Sequence, residues 1–436
     1  MIVKKYRQYC WSFVIALASV RGVFVYHFGL SSHIVYGISS MLLISFGLFS
    51  FRAMFISNGY KPLVLLSNAV KINVLLIGFY MIISIIFTGP NKFNMVYLFA
   101  VFSIIFSLIK YDRKLLDFVV YAITLVTVWG VLYFYKIGID GGFDAIAEAN
   151  LILRPDKLIY SRIGENLLPA GYQGMHHDAA NILVMCAGFF LAKLALSNGF
   201  RKYCHLIIYS LLVFATILTG SVANIVVLCA VSIITFFFYA KENPSKSSII
   251  IFFALLISPK VLEYLSDYTY FVVKLIDDQS ALEGGGIFNS LDINSIFESL
   301  PAIFIGLGGI LNAPMIYSEV AFIKILLSVG FVSFFILMFI LFSPVYYIYS
   351  LKRSVKLLNN KIRESEKIHS NSKLIYAIQK HQYKLTISAM PVLAGTLTLL
   401  HYGSLFKISS IGLFCVLISI FCKEYLAAKD LISAKI

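Results

Sequence analysis

Charged residues are scarce in this chain, and their scarcity excludes most classes of soluble protein. Only 13% of the 436 residues are Asp, Glu, Lys or Arg, whereas 60% are hydrophobic. The mean hydropathy is +0.87, which is far from the balance of a soluble domain. Apolar stretches of about 18 or more residues recur along the chain, and each is long enough to cross a bilayer as a helix. The sequence therefore predicts an all-α polytopic integral membrane protein.

Cysteine is also rare. Six are present, and no two of them have CxxC spacing: Cys10, Cys186, Cys204, Cys229, Cys415 and Cys422. None lies in a segment expected on the outer face of the membrane, so neither a disulfide framework nor a zinc site is indicated. The outer segments also contain no DxD motif and no carboxylate-rich ligand set. We therefore expect no bound metal and no other cofactor.

Acidic residues are outnumbered by basic ones, 21 against 36, which leaves a formal net charge of +15. In a soluble protein this excess would suggest a nucleic-acid partner, but here the basic residues cluster in alternate loops. The largest cluster runs from Lys352 to Lys384. Cytoplasmic loops of membrane proteins are enriched in Lys and Arg. We therefore expect these loops and both termini in the cytoplasm, and no nucleic acid bound.

About twelve spanning helices are expected in a single domain of residues 1–436. Their predicted positions are near residues 9–28, 34–51, 65–88, 94–110, 115–137, 179–196, 205–220, 222–240, 248–264, 318–350, 385–405 and 408–426. With the N-terminus inside, two long segments, approximately 138–178 and 265–317, fall on the outer face, and one of approximately 351–384 falls in the cytoplasm. The polar residues that suit chemistry concentrate in the two outer segments.

The stretch GYQGMHHDAANIL in the first outer segment places His176, His177 and Asp178 directly before an apolar run that starts near Ala179. Two interpretations are open. These residues either cap and solvate the start of a helix, or one imidazole is a general base with Asp178 as its orienting carboxylate. The preceding turn also carries Tyr172, an aromatic ring suited to contact a substrate.

Several cations contradict the charge asymmetry of the rest of the chain. Arg154, Lys157 and Arg162 lie in the first outer segment, and Arg21 lies inside the first predicted span. An arginine guanidinium pairs bidentately with phosphate, so these residues are candidate anchors for a phosphate-bearing ligand. The alternatives are pairing with nearby carboxylates, contact with lipid headgroups and, for Arg21, snorkelling to the outer surface.

Three further residues lie near the predicted outer surface. His401 and Tyr402 are adjacent toward the outer end of the predicted span 385–405, and Glu319 opens the span near 318–350. The position of His401 and Tyr402 suits either a packing contact or a substrate contact. Glu319 is either a helix-start carboxylate that favours the helix dipole or an alternative general base.

The order of four features resembles the O-antigen polymerase and ligase superfamily of bacterial envelope glycosyltransferases. They are Arg162 followed by Gly171 before a span, the turn LTGS at Leu218 to Ser221, the segment ESLPAIFIGLGG, and YSEVAFIKILLSVGFVSF. The resemblance covers roughly residues 150–335. Two positions depart from it. Val222 stands where family members often have arginine, and Ser318 with Glu319 stands where ligases tend to have a His-Asn pair, which favours polymerase over ligase.

The resemblance implies a metal-independent polymerase in lipopolysaccharide biosynthesis, in the inner membrane, with its long outer segments in the periplasm. Such an enzyme transfers a nascent glycan from undecaprenyl diphosphate to the non-reducing end of an incoming lipid-linked repeat unit. Its implied partners are both lipid-linked substrates, the bilayer and a chain-length regulator protein. The cations named above would stabilise the leaving diphosphate. His176, His177 or Glu319 would accept the proton, and Tyr172, His401 and Tyr402 would contact the glycan.

Two other functions remain open from the sequence. A ligase that moves finished glycan onto a lipid core is the nearest enzyme alternative. A flippase for lipid-linked sugars would also need about twelve spans, but transporters place their polar sites near the midplane on broken helices. Here the polar residues concentrate in two outer segments instead.

Overall fold

The computed structural model describes residues 2–56, 61–88, 101–153, 162–163, 166–244, 321–364, 372–400 and 403–433. Within these ranges the fold is helical, apart from one short hairpin. The helices are α1 Ile2–Val20, α2 Gly22–Phe28, α3 Ser32–Ile56, α4 Val64–Thr88, α5 Ile104–Leu108, α6 Arg113–Leu153, α7 His176–Leu196, α8 Phe200–Leu218, α9 Val222–Glu242, α10 Ala321–Glu364, α11 Ser372–Ser388, α12 Met390–Leu397 and α13 Ile408–Ser433. The hairpin pairs β1 Arg162–Ile163 with β2 Asn166–Leu167.

The described ranges contain seven helices that are long and apolar enough to cross a membrane, or eight if the bent pair α1 and α2 counts as one span. This confirms the polytopic all-α membrane class. The prediction of about twelve spans stays a prediction, because residues 245–320, with the predicted span 248–264 and the predicted outer segment 265–317, lie outside the described ranges.

Two helices, α7 and α13, form the centre of the bundle. In their most apolar stretches 72% of α7 and 83% of α13 is buried, against 28% of α3 and of α8. Helix α7 packs on α6, α8, α9, α12 and α13, and α13 packs on α1, α10 and α11 as well. The outer helices turn much of their apolar surface away from the protein, as expected where lipid covers it.

Three long helical segments are broken or bent in the structure. The predicted helix 9–28 is divided at Arg21, where α1 and α2 meet at an angle of 68°. Helix α6 has a kink at Gly142 (φ 72°), and α10 has one at Gly330 (φ 75°). Glycine adopts this left-handed conformation without the Cβ clash that other residues incur. The breaks were not predicted, because hydropathy is insensitive to them.

The connecting segments contain more helix than the sequence predicted. Residues 138–153 of the predicted outer segment belong to α6, and residues 351–364 and 372–384 of the predicted cytoplasmic segment belong to α10 and α11. Conversely, the predicted span 385–405 is divided among α11, α12 and a 3-10 turn at Thr398–Leu400. These residues lie outside the apolar runs and are still helical, because Lys, Arg and Glu are good helix formers.

Candidate functional site at the start of helix α7

The turn before α7 is held inside the protein. Gly171 and Gly174, at φ 54° and 69°, bracket a 3-10 turn over Gly171–Gln173. The Gln173 amide donates to the Ser19 carbonyl at 2.8 Å, near the break between α1 and α2. A Cβ on Gly22 would collide with the Tyr172 carbonyl oxygen. The turn is therefore wedged against the break, and it fixes where α7 begins.

Tyr172, predicted to contact substrate, lies in a small aromatic core. Its hydroxyl is 2.6 Å from Nε2 of His27, and its ring packs edge-on against Phe134. A Cβ on Gly130 would lie 2.6 Å from that ring, so only glycine leaves room for it. Burial raises the pKa of the Tyr172 phenol above its ordinary value, which keeps it neutral. The contacts seen here anchor the turn.

His176 and His177 are the first two residues of α7. Their rings lie 3.8 Å apart between centroids, tilted by 44°. Nδ1 of His177 lies 3.0 Å from the hydroxyl oxygen of Ser221, which also accepts a hydrogen bond from the Asn224 amide at 2.9 Å. Ser221 is the last residue of the LTGS turn. The turn therefore does more than pack helices, because it orients one of the two candidate imidazoles.

Asp178 is paired with a residue that the sequence did not point to. Nζ of Lys407 donates to both carboxylate oxygens of Asp178, at 2.6 and 2.8 Å. The Asp178 side chain is 1% exposed, whereas that of Lys407 is 33% exposed. The carboxylate is neutralised by this cation, and the role of Asp178 in orienting a histidine stays a prediction. Lys407 lies between two predicted spans on the outer face, so its exception to the charge asymmetry was the missed signal.

The cations predicted to bind phosphate do not form one described cluster at the start of α7. The Arg21 guanidinium lies 4.4 Å from the centre of the Tyr36 ring, and Nη1 donates to the Ala18 carbonyl at 3.3 Å. Arg21 therefore packs at the helix break, and its side chain folds back onto the C-terminal turn of α1. The backbone of Arg162 pairs with Leu167 in the hairpin. The other predicted site residues, Arg154, Lys157, Glu319, His401 and Tyr402, lie outside the described residues.

The arrangement brings two imidazoles, a hydroxyl and a buried ion pair together around the start of α7. His177 is oriented by a serine, and Lys407 is partly accessible beside a carboxylate. Among the described residues, no group of three or more His, Cys, Asp or Glu side chains is placed to hold a metal ion. The groups present suit proton transfer and the binding of an anion.

Comparison with known proteins adds no relative. No family model and no curated protein matches the chain.

Proposed function

We propose that the chain is a polymerase of lipid-linked glycans, of the kind found among O-antigen polymerases, with its site at the start of α7. One observation carries the proposal. The start of α7, which directly follows the Arg162 and Gly171 feature, meets the LTGS turn at the 3.0 Å contact between His177 and Ser221. These residues are 44 positions apart in the chain, so their meeting is a property of the fold.

The proposed reaction is a displacement at the reducing-end C1 of the nascent glycan. The hydroxyl oxygen of the incoming repeat unit forms a bond to C1, the bond from C1 to the diphosphate oxygen breaks, and the diphosphate leaves with the electron pair. The hydroxyl proton moves to the imidazole of His177, which the contact with Ser221 orients. His176 is the neighbouring candidate for this proton.

Cations are proposed to stabilise the negative charge that develops on the leaving diphosphate. Arg162, Arg154 and Lys157 remain candidates from the sequence. Because the diphosphate is already a good leaving group and cations surround it, the reaction requires no bound metal. Since both substrates carry long lipid tails, the site must open sideways to the bilayer.

We also propose that the start of α7 faces the periplasm of a bacterial inner membrane. Support comes from the other end of the bundle, where Arg113, Lys193, Lys384 and Lys423 collect, as expected of a cytoplasmic side. In a cysteine-free background, a membrane-impermeant thiol reagent should label Ser280→Cys in intact spheroplasts and not Ser365→Cys. The reverse labelling would overturn the orientation and the proposed function with it.

The test of the proposed function is deletion of the gene, followed by electrophoresis of the surface glycolipid. Loss of a polymerase leaves lipid core that carries a single repeat unit, and the wild-type gene on a plasmid restores the ladder. A bare core would contradict polymerisation and point to a ligase or a flippase.

A flippase for lipid-linked sugars is the second candidate, and broken helices favour it. The turn before α7 packs against the 68° break between α1 and α2, and the interruption between α11 and α12 lies beside Gly188, deeper along α7. Transporters often bind substrate at such breaks. The two functions separate in inverted vesicles, where a flippase moves the lipid-linked repeat across the membrane and a polymerase lengthens it.

A further inference from the structure

The seam between α7 and α13 has a regular register. Asp178 contacts Lys407 at its start. Further along the seam, Met185 of α7 and Phe414 of α13 both lie against Gly395. A Cβ built on Gly395 would be 2.9 Å from a side-chain atom of each. Both partners advance by seven residues, two helical turns, between these contacts. The two helices therefore run parallel, and each residue of α7 lies level with the residue 229 positions later in α13.

This register places Asn181 level with Ser410, one turn below the ion pair. Both side chains are 0% exposed. Within the described structure, Nδ2 and Oδ1 of Asn181 and the hydroxyl of Ser410 have no hydrogen-bond partner. Buried polar groups are nearly always hydrogen-bonded, so each exception requires an explanation. Here two exceptions occupy the same layer, directly beneath a buried carboxylate.

Asn181 is also within reach of that carboxylate along its own helix. Side chains three residues apart lie on the same helical face, as Asp178 and Asn181 do. Ser410 approaches from the opposite side of the seam. The Asn181 amide and the Ser410 hydroxyl can therefore both donate to Asp178, once its oxygens turn away from Lys407.

Loss of the Lys407 ammonium would remove the cation that neutralises a buried carboxylate, which is strongly unfavourable. Two unused donors one turn deeper reduce this penalty. Lys407 is the partner that can leave, because its side chain is 33% exposed whereas that of Asp178 is 1% exposed. An anion that reaches the start of α13 competes directly for the ammonium.

We propose that Lys407 is a binding residue for the diphosphate of the lipid-linked substrate, and that Asp178 exchanges its ammonium partner for Asn181 and Ser410 when that diphosphate binds. The identity of the anion rests on the proposed function. The exchange of partners rests on the seam alone. Asn181 and Ser410 are thus positioning residues that make the bound state accessible.

The first experiment measures binding of farnesyl diphosphate to the full chain in phosphatidylcholine nanodiscs. Asp178→Asn removes the competitor for Lys407, so affinity should rise at least about fivefold. The double variant Asp178→Asn/Lys407→Met keeps the buried pair neutral, and its affinity should fall at least about tenfold below wild type. Unchanged affinity in Asp178→Asn would overturn the proposal, because a purely structural ion pair predicts that result.

The second experiment tests the spare donors. Asn181→Leu should leave the unliganded protein as stable as wild type or more so, because Asn181 has no partner there, and should lower affinity about three- to tenfold. In the Asp178→Asn background the same substitution should have no effect on affinity. Asn73→Leu is the matched control, since Asn73 of α4 is 1% exposed and its amide atoms are likewise unpartnered. Equal losses from Asn181→Leu and Asn73→Leu would refute the exchange.

Competitors identify the anion. Inorganic pyrophosphate should compete with farnesyl diphosphate, and nanodiscs that contain phosphatidylglycerol should not weaken its binding. Strong competition by phosphatidylglycerol would overturn the diphosphate assignment in favour of a general site for anionic headgroups. Binding with the expected pattern in a chain that forms no polymer would overturn the proposed function alone, whereas polymerisation without the Asp178→Asn gain would overturn this inference alone.

Discussion

The two ends of helix α7 both carry ion pairs, but they are built differently. At the Lys193 end, Asp117 is shared by Lys193 and Arg113, and Glu424 is shared by Arg113 and Lys384. Each carboxylate there contacts two cations. At the His176 end, a far more buried carboxylate, that of Asp178, is held by Lys407, and unpartnered polar groups lie one turn below it.

The histidines at the two ends of α7 also have different partners. His205, near the Lys193 end, is held on both ring nitrogens, by Tyr121 at 2.8 Å and by Ser197 at 3.0 Å. His177 is bonded through Nδ1 to Ser221. A network in which every charge has several partners stabilises a fold. At the His176 end, polar atoms of Asn181 and Ser410 that are orphaned within the described structure leave hydrogen-bonding capacity that a change of partners can use.

The largest expected effect is on the histidines. His176→Ala and His177→Ala, made singly, should leave normal amounts of protein in the membrane, while at least one abolishes long glycan chains, because loss of a general base costs about 10² to 10⁴ in rate. His205→Ala is the control and should keep the ladder. If both variants of the HHD motif give a normal ladder, the histidines only solvate a helix end, and Glu319 becomes the candidate base.

The ion pairs should differ in their contribution to stability. Lys407→Met leaves Asp178 buried without its cation, and we expect a loss of about 3 kcal/mol, at the low end for a broken buried pair because Asn181 and Ser410 can donate to Asp178. Lys193→Met leaves Asp117 paired with Arg113 and should cost about 1 kcal/mol or less. Unfolding of the purified variants in detergent measures both. Equal losses would erase the distinction between the two ends.

The two serines that contact histidines provide a smaller, matched comparison. Ser221→Ala removes the group that orients His177 and should lower kcat about three- to tenfold with little change in KM. Ser221→Thr should restore most of the rate, which a general loss of folding would not allow. Ser197→Ala, at the other end, should leave the rate unchanged. A rise in KM with kcat intact would instead make Ser221 a substrate-binding residue.

The smallest expected effect is that of chelation. Asp178 is neutralised by Lys407, and the proposed reaction relies on cations of the chain to stabilise the diphosphate. Polymerisation by purified protein should therefore continue in EDTA. Activity that stops in chelator and returns with magnesium or manganese would require a metal at the His176 end and a different assignment for Asp178.

The central and outer spans were well predicted from apolar runs. Helices α3, α7, α8, α9 and α13 lie at their predicted positions. In α7, α8 and α9 the observed ends differ from the predicted ends by only a few residues, whereas α3 and α13 extend further at the C-terminal end. Long apolar runs constrain helices strongly, because the bilayer demands them. The kink at Gly330 escaped prediction, since a glycine in an apolar run has the same hydropathy whether φ is negative or positive. The kink at Gly142 lies in residues predicted to belong to the outer segment 138–178.

The candidate site was predicted only in part. The HHD motif stood out because polar residues precede an apolar run, and its position at the start of α7 is confirmed. Asn224 carries no signal of its own, since asparagine at the start of a helix is an ordinary cap. Ser221 stands out only as part of the LTGS turn, and nothing in that turn points to a histidine. Lys407 was hidden between two spans, where a single lysine has many explanations.

The sequence by itself determined the membrane class, the positions of most spanning helices and the polar start of α7, because these follow from the local balance of apolar and polar residues. Only the tertiary structure decided which groups meet. Along the chain, Lys407 is 229 residues from Asp178 and Ser221 is 44 residues from His177. No local sequence pattern predicts contacts between residues so far apart. The pairing of Asp178 with Lys407 arises from the parallel register of α7 and α13, and that of His177 with Ser221 arises from the packing of α7 on α9. Packing of entire helices selects both.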